Sequence, residues 1–365
     1  MLGRVWREIV IVTPALNSRM FGMTSDGLRV DAWTLCGTGG LTLEVVTYGA
    51  AVTRLLTPDR EGRFADVVLG FDNLDAYSGH SAYFGSVVGR VAGRISNALF
   101  PLDGEVYALV LNDPPNHLHG GSKGLDKQIW SAAPAEITSG EPSLRLTYRS
   151  PHLEEGYPGN VDVTVRYTVK HDNALLVETQ GVTDRPTPFS LTLHHYFNLA
   201  GEGSGSIADH ELLIYADEFI PTDESMTLLG KPASVMEKQN DFRRPRVLGE
   251  VIPSLFRNHG DLYVIRRTSE RDGADALSPA ARLVHPASGR ALEVSTTATH
   301  LQLYTATALD GSWMGKSGAA YPKYAGVCLE CEGYPDGANQ PHLGDIILRP
   351  GSPTREVTRY AFSCF

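Results

Sequence analysis

The chain has 365 residues, a formal net charge of −10 and four cysteines. It contains no run of about five like charges and no apolar stretch of roughly 18 residues, and its cysteines are too few for a disulfide framework; nucleic-acid binding, a membrane span and a disulfide scaffold are therefore not expected. With 37 Gly and 22 Pro, turns are favoured over long helices. Residues 1–19 read as an N-terminal extension: Arg4 and Arg7 precede only a short apolar run at 9–12, too weak for a secretory leader, so a cytoplasmic location is expected. Residues 20–365 read as a single all-β domain. Runs rich in Val, Leu, Thr and Tyr predict strands at 41–48, 144–148, 161–169, 174–180, 211–215, 291–297 and 300–305. Asp103-Gly104 predicts a hairpin over 98–110, and His171-Asp172-Asn173 another over 161–180. Short helical turns are expected near 74–78 and 244–250. The sum is a sandwich of antiparallel sheets with long functional loops.

Two glycine loops invite a nucleotide reading and fail it. Residues 201–206 (GEGSGS) lack the final glycine and lead into a strand; residues 119–124 (HGGSKG) lack the Gly-Lys-Ser/Thr of a phosphate loop. His117-Leu118-His119 puts two imidazoles on one face of a strand, but no glutamate follows at metal-site spacing. Cys328 and Cys331 stand three apart on a predicted strand and so face opposite ways. No intrinsic metal is expected.

Acids and histidines are more informative. Glu330 lies in an apolar strand run, 326–332 (GVCLECE), and shares a face with Cys328 and Glu332. It is either an exposed edge residue or a buried carboxylate. Burial and a second carboxylate would raise its pKa into the range of a general base. Of the adjacent His194 and His195, one must point inward and the other outward. An inward histidine opposite an inward glutamate can move a proton between two oxygens, and the neighbouring Tyr196 and Phe197 offer flat faces to a sugar ring. Arg90 reads as a structural salt bridge, residues 157–159 as a turn at the site rim, and Trp33, Trp130 and Trp313 as packing.

Eight segments in order carry a resemblance: 47–50 (TYGA), 66–70 (DVVLG), 84–95 (FGSVVGRVAGRI), 116–121 (NHLHGG), 154–159 (EEGYPG), 193–199 (LHHYFNL), 302–305 (QLYT) and 326–341 (GVCLECEGYPDGANQP). The chain resembles the aldose 1-epimerase (galactose mutarotase) family from about residue 20 almost to its end. The resemblance implies a large antiparallel β-supersandwich and interconversion of the α and β anomers of a free aldose such as galactose or glucose, without a cofactor. It implies Glu330 as the base at the anomeric hydroxyl and His194 as the acid at the ring oxygen, with His195 facing away. It also implies His119, Arg94, Asp261 and Gln302 as substrate contacts. A small sugar is the expected partner, and a monomer or homodimer the expected assembly. Two other readings keep the scaffold: a sugar-binding or regulatory protein without turnover, and an enzyme that opens a different hydroxy-carbonyl compound. The chain departs from the family's usual residues at Gly93 (Asn before the arginine), at Glu332 (Gln) and at 260–262, where Gly260-Asp261-Leu262 stands for Gly-x-Asp-His. Glu332 either enters the site beside Glu330, where coupling would raise the base's pKa, or lies just outside it as a surface change, the expected reading.

Overall fold

A computed structural model describes residues 15–79, 82–135, 140–267 and 276–365. Three antiparallel sheets carry the fold, of nine, six and five strands. The nine-stranded sheet runs Ser131–Pro134, Ser143–Ser150, Val161–Val169, Ala174–Thr183, Thr354–Cys364, Arg290–Thr296, Ser278–His285, Glu211–Ile214, Arg246–Val247. Its third strand alternates buried and more exposed residues along its whole length, as a half-buried strand must. Val163, Val165 and Tyr167 face inward there.

The six-stranded sheet positions the site. Its order is Tyr196–Phe197, Val327–Glu332, His300–Tyr304, Leu262–Ile265, Ala216–Ile220, Ala233–Ser234. Leu301, Leu303, Leu329 and Cys331 from one face join the main core with the inward residues of the nine-stranded sheet. The opposite face therefore carries the even-numbered residues. Register sets Cys328 beside Tyr304, Glu330 beside Gln302 and Glu332 beside His300. Every residue of Val327–Glu332 is buried, so this is a central strand and Glu330 is no edge residue.

The predicted strands and both hairpins are present, with ends moved by up to three residues. At the Asp103-Gly104 turn both residues have positive φ (50° and 89°), the geometry that twists a two-residue hairpin correctly. The helical turns form at Leu74–Gly79 and Leu248–Val251. The first boundary differs. Ala15–Met23 is a strand paired with Arg29–Cys36, so a division after residue 19 cuts through an element whose backbone is already hydrogen-bonded. Residues 1–14 lie outside the described residues.

Candidate active site

A cavity of about 340 Å³ opens on the even-numbered face of the six-stranded sheet, within the range of small-molecule sites. Five separate parts of the chain supply its chemistry. Val327–Glu332 brings Glu330 and Glu332, and the adjacent strand brings Gln302 and Tyr304. Thr192–Leu193 pairs with Val87–Val88 and delivers His194 just beyond its end. His117–Leu118 pairs with Arg94–Ile95 and delivers Arg94 and His119.

His119 and His117 do not share a face. His119 has φ of +52°, a left-handed turn that ends the strand and swings its ring into the cavity. His117 is buried away from the cavity, where its Nδ1 is 2.7 Å from the Val110 carbonyl and its Nε2 2.8 Å from the Tyr157 hydroxyl. Tyr157 is thus fully buried in an apolar cluster with Ile95 and Phe100, and does not line the cavity. The Gly93 N–H donates to His119 Nδ1 at 3.1 Å. That accepted bond leaves the proton on Nε2, so His119 presents a donor to the cavity.

His194 is clamped. Its ring stacks between Tyr83 and Tyr196, with centroids at 5.6 and 5.0 Å. The Cys328 sulfur lies 3.6 Å from Nδ1. Nε2 faces Glu330 Oε2 at 3.6 Å, beyond a direct hydrogen bond, and that carboxylate oxygen has no other partner. His195 points the other way, edge-on to Phe197 and Tyr360.

Burial governs the charges. It pushes the Glu330 carboxyl up to about 8, against the opposing pull of Arg94. It pushes His194 down to about 3 and His119 well below the ordinary imidazole range. Glu332 is held well above the usual carboxylate range, first by burial and then by the charges of Glu330 and Glu356. Arg94 Nε donates to Asp113 at 2.7 Å, which fixes the guanidinium at the cavity wall.

Glu332, Asp261 and Trp313 depart from expectation at the lining. Glu332 lines the cavity instead of lying outside it, because residues two apart on one strand share a face. Asp261 is absent from the lining. Its carboxylate accepts from the Asn240 amide at 2.9 Å. Leu262, the next residue, is the one in register with Gln302 on the site face. Arg90 makes hydrogen bonds to hydroxyls and carbonyls instead of a salt bridge. Trp313, expected as packing, lines the cavity together with Tyr83, His259 and Tyr304. Tyr304 is within reach of sequence reasoning: it stands two residues from Gln302 and so shares its face. Tyr83 and His259 sit in loops that carry no periodic signal.

His119, His194 and Glu330 each place one ligand-type atom within 4.8 Å of the others, a spacing compatible with a metal ion. The Gly93 N–H aimed at His119 Nδ1 argues against it, since a ligating Nε2 would require the proton on Nδ1. The set suits proton transfer better.

A histidine facing a carboxylate across a small cavity, on a large antiparallel sandwich, is the build of an acid–base enzyme for a small polar substrate. The family model described as aldose 1-epimerase matches residues 31–361. The galactose mutarotase of Bos taurus is 42% identical over 344 residues, 94% of this chain and 93% of that protein. The aldose 1-epimerase of Escherichia coli (strain K12) is 31% identical over 96% of this chain and 98% of that one. Among solved structures, an aldose epimerase homologue from C. elegans superposes with a TM-score of 0.82 at 31% identity, covering 90% of this chain and 97% of that one. The chain belongs to the aldose 1-epimerase family.

Proposed function

We propose that this isomerase interconverts the α and β anomers of a free aldose, galactose or glucose first, with Glu330 as base and His194 as acid. The observation that carries the roles is the 3.6 Å gap between Glu330 Oε2 and His194 Nε2 at the cavity floor. Two oxygens on one carbon of a sugar ring can engage both groups at once.

The reaction balances within the pair. Glu330 takes the proton of the anomeric hydroxyl. The electrons of that O–H bond form the aldehyde carbonyl, the bond from C1 to the ring oxygen breaks, and the ring oxygen takes its proton from His194. Rotation about the C1–C2 bond presents the other face of the aldehyde. Closure runs the same steps backwards and restores both groups. Burial favours the uncharged arrangement of the pair, with the proton on Glu330. The arrangement with ionised Glu330 and protonated His194 has the same proton count, so it needs no exchange with solvent. Arg94 favours it by its pull on the Glu330 carboxyl, and His119 Nε2–H offers a donor to the reacting oxygens. Each proton transfer by a positioned group contributes on the order of 10²–10⁴-fold.

The test is polarimetry of freshly dissolved α-D-galactose and α-D-glucose with wild-type protein and Glu330→Gln. Acceleration by the wild type that falls by at least ~100-fold in the variant is expected. A wild type that leaves the spontaneous rate unchanged would overturn the activity. Full activity in the variant would overturn the assignment of the base.

A further inference from the structure

We propose that Glu332 is a further substrate-binding group of this cavity, an un-ionised carboxyl that donates its O–H to a sugar hydroxyl while Glu330 and His194 do the proton transfer. The inference rests on the acid–base reading above and adds a group to it. It starts from geometry. Glu332 lines the cavity from the same strand face as Glu330, is 1% exposed, and its Oε2 has no hydrogen-bond partner among the described residues. It makes no ion pair with any described residue. A buried polar atom without a partner costs stability unless a ligand supplies one.

The space beside it is equally specific. A Cβ added at Gly93 would stand 3.4 Å from Glu332 Oε1, and 2.5 Å from Pro335 Cγ. Gly93 also has φ of +74°, which disfavours any side chain there. Gly93 itself presents no side chain to the cavity, and the Glu332 carboxyl stands beside it in the lining. An un-ionised carboxyl offers one donor and one acceptor side by side, as a primary amide does.

Burial, and then the charges around it, decide the state of Glu332. Glu330 stands two residues away on its own strand, and Glu356 on Thr354–Cys364 lies behind it; both act on it as like charges. His300, directly across on the neighbouring strand, is pushed by burial down to about 4 and stays neutral. Arg94 acts on Glu330 and Arg267 on Glu356, and neither is among the groups that act on Glu332. Burial first, and then the two neighbouring carboxyls, keep the proton on Glu332, and no cation among the described residues acts on it. Among His194, Glu330 and Glu332 two protons are thus held near neutral pH. One stays on Glu332; the other is the working proton of the pair.

The experiment compares wild type, Glu332→Gln and Glu332→Leu with D-galactose across pH. Leucine removes the donor and is expected to raise KM by about tenfold with a much smaller change in kcat, and glutamine to restore most of that KM. The alkaline limb of the pH profile should hold its position in Glu332→Gln, because glutamine replaces a group that was already neutral. A downward move of that limb by about one unit or more would show that Glu332 carries a charge in the wild type, and would overturn the proposal. So would a KM in Glu332→Leu equal to that of the wild type. An infrared difference spectrum of wild type against Glu332→Gln at neutral pH reads the proton directly. Loss of a protonated-carboxyl band supports the proposal and its retention overturns it. This last readout needs no turnover, so a failure of the mutarotase reading and a failure of the Glu332 assignment are told apart.

Discussion

Two buried polar regions of this molecule are built on opposite principles. Around Arg90 every donor is used: Nε and both terminal nitrogens reach Ser150 Oγ, Thr187 Oγ1 and the carbonyls of Ser150, Pro151 and Pro158. The Lys316 ammonium is likewise held by Asp66 and the carbonyls of Thr53 and Val68. In the cavity, by contrast, Glu330 and Glu332 each keep a buried oxygen with no hydrogen-bond partner among the described residues. Satisfied polar groups tie loops to the sandwich. Unsatisfied ones facing a cavity wait for a ligand. His195 marks the limit of the rule, since both its ring nitrogens lack a hydrogen-bond partner but it does not line the cavity. An open valence signals function only where there is room to fill it.

The contrast can be broken most sharply at Glu330, where glutamine should remove at least ~100-fold of the rate while the fold persists. The converse holds at Arg90. Arg90→Met leaves its carbonyls without donors and should cost about 2–4 kcal/mol, read from the denaturant midpoint, with anomerisation per folded molecule within roughly threefold. Loss of rate without loss of stability there would erase the distinction. A third difference appears with pH. The Glu330 carboxyl sits at about 8 in the folded chain against 4.5 for an ordinary glutamate, so the native state binds the extra proton between those values. Stability from this group is present below about 4.5 and is lost as pH rises through 8, by about 1.4 kcal/mol per pH unit at most. Glu330→Gln should therefore be less sensitive to alkaline pH than wild type, which parallel denaturation curves at pH 6 and pH 8 would check. The smallest effect is expected at Asp261. With its carboxylate on Asn240 and out of the cavity, Asp261→Asn should change KM for galactose by less than about threefold. A tenfold rise would return Asp261 to the site.

Much of the fold and part of the site can be read from the amino-acid order alone. Period-2 alternation exposes 161–169 and 174–180 as strands, and the same rule places Glu330 and Glu332 on one face. It fails where the backbone leaves the extended region. The left-handed turn at His119 is invisible because histidine is not the residue that usually marks one, and so strand alternation wrongly pairs His117 with His119. The resemblance, not alternation, points to Asp261, and it misses at 260–262, where the strand begins one residue later and the register with Gln302 falls to Leu262. The cavity itself is a long-range object. Its walls come from positions as far apart as Tyr83 and Glu330, and nothing local in the chain says that they meet.

The strand Val327–Glu332 is hydrogen-bonded on both sides, with Leu329 and Cys331 in the core and Glu330 and Glu332 in the cavity. A slip of one residue would exchange those two sets. Two carboxyls would then enter the apolar interior, and the pocket would be lined with leucine and thiol. The same error thus destroys the catalyst and the fold together. Activity in a population of these molecules is a proofread of its folding: a misregistered copy has no route to being stable and idle, and none to being active and loose.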